Sequence, residues 1–153
     1  MFRRGRGCSL GKTIVKLNPI LRGWAAYFKL TETRQALEDR VELNHTYVTD
    51  LSMSLRRVAG ARRNLMTMPT GPAGALCDGN NLAATFDDDA NPPRPANSSC
   101  VIGAVPTYAG VVVPEHPLAF FDGQDPNGTW VLNVNDAVAQ DTGVLTRWCI
   151  TLR

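Results

Sequence analysis

The chain has 153 residues, of which 44% are apolar and 20% charged, with four cysteines, thirteen glycines and ten prolines. That length suits one domain with a core, and no stretch approaches the eighteen apolar residues of a membrane span. The formal net charge of +2 is an average over two unlike segments, so it does not describe one basic surface. Residues 1–40 hold nine Lys or Arg and three acids, whereas residues 41–153 hold seven Arg and eleven acids. The composition therefore predicts a boundary near Arg40, between a basic helical segment (1–40) and a second domain (41–153).

In chain order, Arg3, Arg4 and Arg6 come first. Lys16, Asn18, Pro19 and Arg22 interrupt the apolar residues that follow, so no secretory signal peptide is expected. Gly7 to Thr13 is one residue short of a phosphate-binding G-x-x-x-x-G-K-[ST] loop and has no strand before it, which excludes that reading. Asn18-Pro19 reads as a helix start, and Leu21, Trp24, Ala25 and Phe28 follow on one face. A second short helix is predicted over Thr33–Arg40. Arg3, Arg4, Arg6, Lys12 and Lys16 could contact phosphates or form a solvated basic tail, and the tail is favoured because forty residues cannot build a specific RNA groove.

Beyond Pro69 the density of Gly and Pro rises, as in a loop-rich β module. Cys77 and Cys100 bracket an acidic run, Asp87-Asp88-Asp89, and a proline-rich stretch. A disulfide between them would close a loop of about 24 residues and contribute on the order of 3 kcal/mol in the loop-entropy picture. It would also indicate an oxidising compartment. Near the C-terminus, Trp130, Leu132 and Val134 alternate with Val131, Asn133 and Asn135, the period of a half-buried strand ending at Asp136. Asp141-Thr142-Gly143 is a turn signal, after which Trp148, Ile150 and Leu152 resume the alternation. Leu145 is out of phase, predicting a bulge or a strand entry between it and Trp148. The two tryptophans are expected on neighbouring strands, buried between facing layers.

Three blocks carry a resemblance. The C-terminal text from Pro117 to Leu152, with its NGTW, strand, DTG and second Trp, is similar to the end of the P domain (Homo B domain) of kexin- and furin-like proteases. His45-Thr46-Tyr47-Val48-Thr49-Asp50-Leu51 resembles that family's entry block. Asn80 to Ala90, with FDDDA, resembles its middle stretch. The resemblance implies an all-β fold, a jelly-roll-like antiparallel β-sandwich over residues 41–153, preceded by one or two short helices. Upstream, Arg4 to Arg40, with LNPILRGWAAYF, resembles the thumb or maturase region of group II intron reverse transcriptases. The polymerase palm of that family is not in this sequence.

The P-domain resemblance implies a non-catalytic companion of a secreted subtilisin-like serine protease, with that protease's catalytic domain as partner and an extracellular location. The alternatives are an RNA-binding remnant of a maturase and a calcium-dependent binding module; nucleic acid is the less favoured partner and no membrane is expected. No catalytic residue is assigned: His45 is expected to make a structural hydrogen bond and His116 to sit in a loop, far from the context of a protease triad. Calcium, if bound, is expected at Asp87, Asp88, Asp136 and Asp50, since it takes carboxylate and carbonyl oxygens from loops. The competing reading makes those aspartates turn caps. Cys149 alternates away from the face of Trp148 and Ile150, and the resemblance places its natural partner in a lead-in strand that this chain lacks. The sequons at Asn44, Asn97 and Asn127 are explained without glycosylation, Asn127-Gly128 as a turn.

Overall fold

The computed structural model describes residues 37–152. The expected helix beginning at Asn18-Pro19 and the cluster Arg3, Arg4, Arg6, Lys12 and Lys16 lie outside these residues. The described chain forms seven strands: β1 (Leu37–His45), β2 (Leu51–Arg57), β3 (Arg63–Thr67), β4 (Leu82–Phe86), β5 (Tyr108–Val112), β6 (Trp130–Asp136) and β7 (Gly143–Leu152). They make two sheets, one ordered β5-β4-β1-β7 and the other β3-β2-β6. All neighbours are antiparallel except β4 and β5, which run parallel. The jelly-roll-like β-sandwich expected from the sequence is the fold observed.

Alternation sets the core. On β1, Leu37, Val41 and Leu43 point inward, and on β2 Leu51, Met53 and Leu55 do the same from the opposite sheet. Leu82, Ala84 and Phe86 of β4 and Tyr108 and Val112 of β5 complete one layer. Leu118 and Phe121, from the 3-10 turn Leu118–Phe121, plug one end. Tyr108 is fully buried, and its hydroxyl donates to the Ala96 carbonyl at 2.7 Å, so the phenol carries no unpaired polar atom into the core.

Three expectations need correction. Leu37–Arg40 is the start of β1 and not the end of a helix. Its alternation of buried and exposed residues, continued without a break through Val41, lets both β4 and β7 pair with it. Tertiary pairing outweighs the helical propensity of an Ala-Leu-Glu run. Consequently the strand crosses the composition boundary at Arg40.

The second correction concerns the tryptophans. β6 pairs with β2 and β7 pairs with β1, so the two strands lie in different sheets and the loop between them passes from one layer to the other. Third, Trp130 and Trp148 are only half-buried, packing against the core from its margin. Trp130 meets Phe121 edge-on, with ring centroids 5.0 Å apart. The inward phase of Trp130, Leu132, Val134, Trp148 and Ile150 is as read from the sequence. So is the bulge: the β1–β7 register shifts between Glu42, opposite Arg147, and Leu43, opposite Leu145. The skipped residue, Thr146, turns its hydroxyl onto the Glu42 carbonyl at 2.9 Å.

Cys77 is joined to Cys100, as expected, and Cys149 is a free, half-exposed thiol.

Candidate functional site

The segment leaving β1 and the loop linking β6 to β7 recognise each other at one end of the sandwich. His45 is 4% exposed, and both its ring nitrogens are engaged. Nδ1 accepts the Tyr47 backbone N–H at 3.1 Å, which makes Nε2 the protonated nitrogen, 3.2 Å from Asp136 Oδ2. Thr46 donates its hydroxyl to Asp141 Oδ1 at 2.7 Å, and its oxygen accepts the Thr142 N–H at 3.3 Å. The Thr46 N–H reaches the Thr142 carbonyl at 3.3 Å, and the Ala137 N–H reaches the Asp50 carbonyl at 3.0 Å. Gly143 sits so close to β1 that an added Cβ would lie 2.8 Å from the Asn44 carbonyl and collide with the His45 ring. Only glycine allows that approach.

Asp50 is 5% exposed, and its carboxylate accepts no hydrogen bond among the described residues. Burial pushes its pKa up; the negative charges of Asp141 and Asp136 push the same way and His45 opposes them. Asp136 and Asp50, both expected as calcium ligands, are thus brought together, and Asp141 joins them.

Asp87 and Asp88 stand elsewhere. Asp88 holds the 3-10 turn after Pro117, its two oxygens accepting the Leu118 N–H at 2.9 Å and the Ala119 N–H at 2.7 Å. Asp87 accepts the Asp89 N–H at 2.9 Å in an Asx turn. The four expected ligands therefore form two separate groups. Among the described residues no three His, Cys, Asp or Glu side chains gather in a way that could hold a metal ion.

Neither histidine is hydrogen-bonded to a serine among the described residues. His116 Nδ1 accepts the Asn64 N–H at 3.2 Å, which ties its loop to β3. Beside it, Glu115 is held well below the usual carboxylate range, first by the Thr67 hydroxyl at 2.6 Å and then by Asn97, His116 and Asn64. Nothing in the local text around Glu115 marks it out beyond its place next to His116.

A second residue that sequence reasoning missed is Asp39. It projects into the core with no solvent exposure, and burial raises its pKa to about 7. The Trp148 indole N–H donates to Oδ1 at 2.7 Å, but Oδ2 has no partner among the described residues. Had Leu37–Arg40 been read as strand, the phase of Leu37, Val41 and Leu43 would have placed Asp39 inward.

The clasp joins His45–Asp50 to Asp136–Gly143, two of the blocks on which the resemblance rests. Residues 95–152 match the family model of the proprotein convertase P-domain. Residues 1–66 match that of the group II intron maturase-specific domain. Each match covers less than half of the chain, and the two do not overlap. No curated protein and no solved structure matches the chain significantly. The strand pairing cuts across this division. β1 and β2 fall in the maturase match, yet they hydrogen-bond to β7 and β6 of the P-domain match. Residues 37–66 are thus structural members of the same sandwich.

Proposed function

We propose that the sandwich is a non-catalytic P-domain module, the stabilising companion of a secreted subtilisin-like serine protease, acting by packing against the catalytic domain. The observation that carries this reading is the P-domain match over 95–152, together with strand pairing that extends the same fold back to Leu37. The Cys77–Cys100 link supports an oxidising, extracellular setting. Both imidazoles are committed to backbone amides, which supports a role without acyl-transfer chemistry. The test is to fuse the full chain behind a kexin-type catalytic domain that lacks its own P domain. A several-fold longer half-life of protease activity at elevated temperature is expected. An unchanged half-life would end this reading, as would labelling of the unfused chain by a serine-directed fluorophosphonate.

A second reading, RNA contact through the basic N-terminal segment, is favoured by the maturase match. It requires filter binding to structured RNA that weakens steeply with salt and vanishes when residues 1–36 are removed; salt-independent or absent retention removes it.

A further inference from the structure

Four of the seven arginines beyond residue 40 stand on one hairpin. Arg56 and Arg57 end β2, Arg62 and Arg63 lead into β3, and the exposed turn between them, Val58-Ala59-Gly60-Ala61, has no polar side chain. The Gly60 N–H closes that turn on the Arg57 carbonyl at 2.9 Å, and Val58 is 56% exposed. None of the four arginines forms a salt bridge among the described residues. Leu55 and Arg63 are the last paired residues, so Arg56 and Arg62 come next on the two strands, and like charges so placed repel. Arg57 and Arg63 are braced by aromatic rings. The Arg57 guanidinium lies 5.8 Å from the centre of Trp130, and that of Arg63 lies 3.4 Å over Phe120, itself 40% exposed. Arg63 Nε is buried there with no hydrogen-bond partner among the described residues. A guanidinium held by stacking and not by an acceptor keeps its charge available to an outside anion. Beside the turn, a cleft of about 360 Å³ opens between the hairpin and Gln124 and Thr129, with Arg57 in its wall.

We propose that this hairpin docks on an anionic phospholipid surface, with the turn at the boundary of headgroups and acyl chains and the arginines on the phosphates. Peripheral binding draws on two terms, burial of apolar area and attraction to anionic lipid, and the hairpin carries one at its tip and the other at its base. Arginine also meets a phosphate with two parallel hydrogen bonds. Phe120 and Trp130, packed against guanidiniums, are rings of the kind that settle where apolar and wet regions meet. A soluble polyanion would use the arginines but leave the apolar turn without a role. It would also run along a domain in which eleven acids outnumber seven arginines over residues 41–153. A flat membrane touched by one hairpin escapes most of those acids, because charge effects fade within a Debye length of about 8 Å at physiological salt. Asp122 and Asp125, in the adjoining loop, oppose the attraction; Asp125 is already tied to Asn127 by hydrogen bonds of 3.0 and 2.9 Å. Such docking needs no spanning segment, and no helix among the described residues is long and apolar enough to be one. The inference is independent of the P-domain reading and survives its failure.

The test is co-sedimentation of the full chain, at physiological salt, with vesicles of phosphatidylcholine alone or mixed with phosphatidylglycerol. Binding to the mixed vesicles is expected. All variants keep residues 1–36, so differences among them report on the hairpin. Arg56→Gln/Arg62→Gln should weaken binding about 25-fold, roughly fivefold for each charge, at the parent melting temperature. Val58→Asp should weaken it as well, although every arginine remains. In Ala59→Trp, brominated lipid should quench emission beyond the quenching seen with the parent tryptophans. A parent protein that stays in the supernatant overturns the proposal. So does binding that both the arginine and the Val58 variants retain, which would mark adsorption through the basic segment. Binding that falls in the arginine variant but not in Val58→Asp, with no added quenching in Ala59→Trp, would mark charge attraction without insertion and also overturns it. Filter retention of an oligonucleotide that depends on Arg56 and Arg62, with vesicle binding unaffected, would assign the hairpin to nucleic acid instead.

Discussion

Asp39 and His45 sit six residues apart on the same face of one strand, both buried, and they differ in how their polar atoms are treated. His45 has a partner for each ring nitrogen, and those partners, Tyr47 and Asp136, belong to the two segments that form the clasp. Asp39 has Trp148 on one oxygen and, among the described residues, nothing on the other. His45, the last residue of β1, opens the P-domain-like entry block, whereas Asp39 lies in the text upstream of that block that resembles a maturase. One strand therefore joins a segment whose polar groups match the sandwich to a segment whose polar group is tolerated by it. A shared backbone ladder does not require that the side chains on it suit the core they enter.

The difference can be broken at either end of the strand. The largest effect is expected at Asp39. Its folded pKa, about 7, stands above the unfolded value of 3.8, so the folded state binds the extra proton between those limits. Stability is then greatest below the unfolded pKa, falls as pH rises towards 7, and stays low above it. Integrated over that window the loss is on the order of 4 kcal/mol. Asp39→Asn should abolish the loss: urea unfolding at pH 4 should give similar stabilities, and at pH 8 the variant should be the more stable protein. Parallel pH profiles for the two proteins would refute the assignment.

At the other end, His45→Ala should destabilise by about 3 kcal/mol at neutral pH, by opening a cavity and stranding the Asp136 carboxylate and the Tyr47 amide. Thermal melts would register this as a lower Tm; an unchanged Tm would mean that the clasp contributes little. The smallest effect belongs to Trp148→Phe, which removes only the indole donor to Asp39 and should cost about 1 kcal/mol. Because that hydrogen bond lowers the Asp39 pKa, its loss should move the pH dependence upward. A purely structural tryptophan would leave the profile in place.

Much of the sandwich was legible in the sequence because period-two alternation is a local property. Trp130, Leu132 and Val134 reveal their inward face without reference to any partner, and the phase slip at Leu145 located the bulge at Thr146. What alternation cannot specify is which strand lies alongside. The turn signal at Asp141-Thr142-Gly143 goes with an expectation of neighbouring strands, but its polar atoms bond to Thr46, just past the end of β1, and the chain crosses to the other sheet. The site was less legible. His45, Asp50 and Asp136 were flagged, yet their convergence depends on residues more than eighty positions apart in the chain. Asp88 looked like a candidate metal ligand because a free carboxylate and a turn-capping one have the same sequence signature. Asp39 was hidden by a helical reading of four residues whose conformation is decided by pairing on both sides.

β1 occupies an interior position in its sheet, with β4 on one flank and β7 on the other. A truncated polypeptide starting at Val41, where the charge balance changes, would strip Asp39 and Arg40 from Phe86 and Thr85, and Leu37 to Arg40 from the last four residues of β7. The cut suggested by composition would leave a notch in the middle of a layer instead of trimming its margin. Any excised version meant to stand alone has to begin upstream of Leu37.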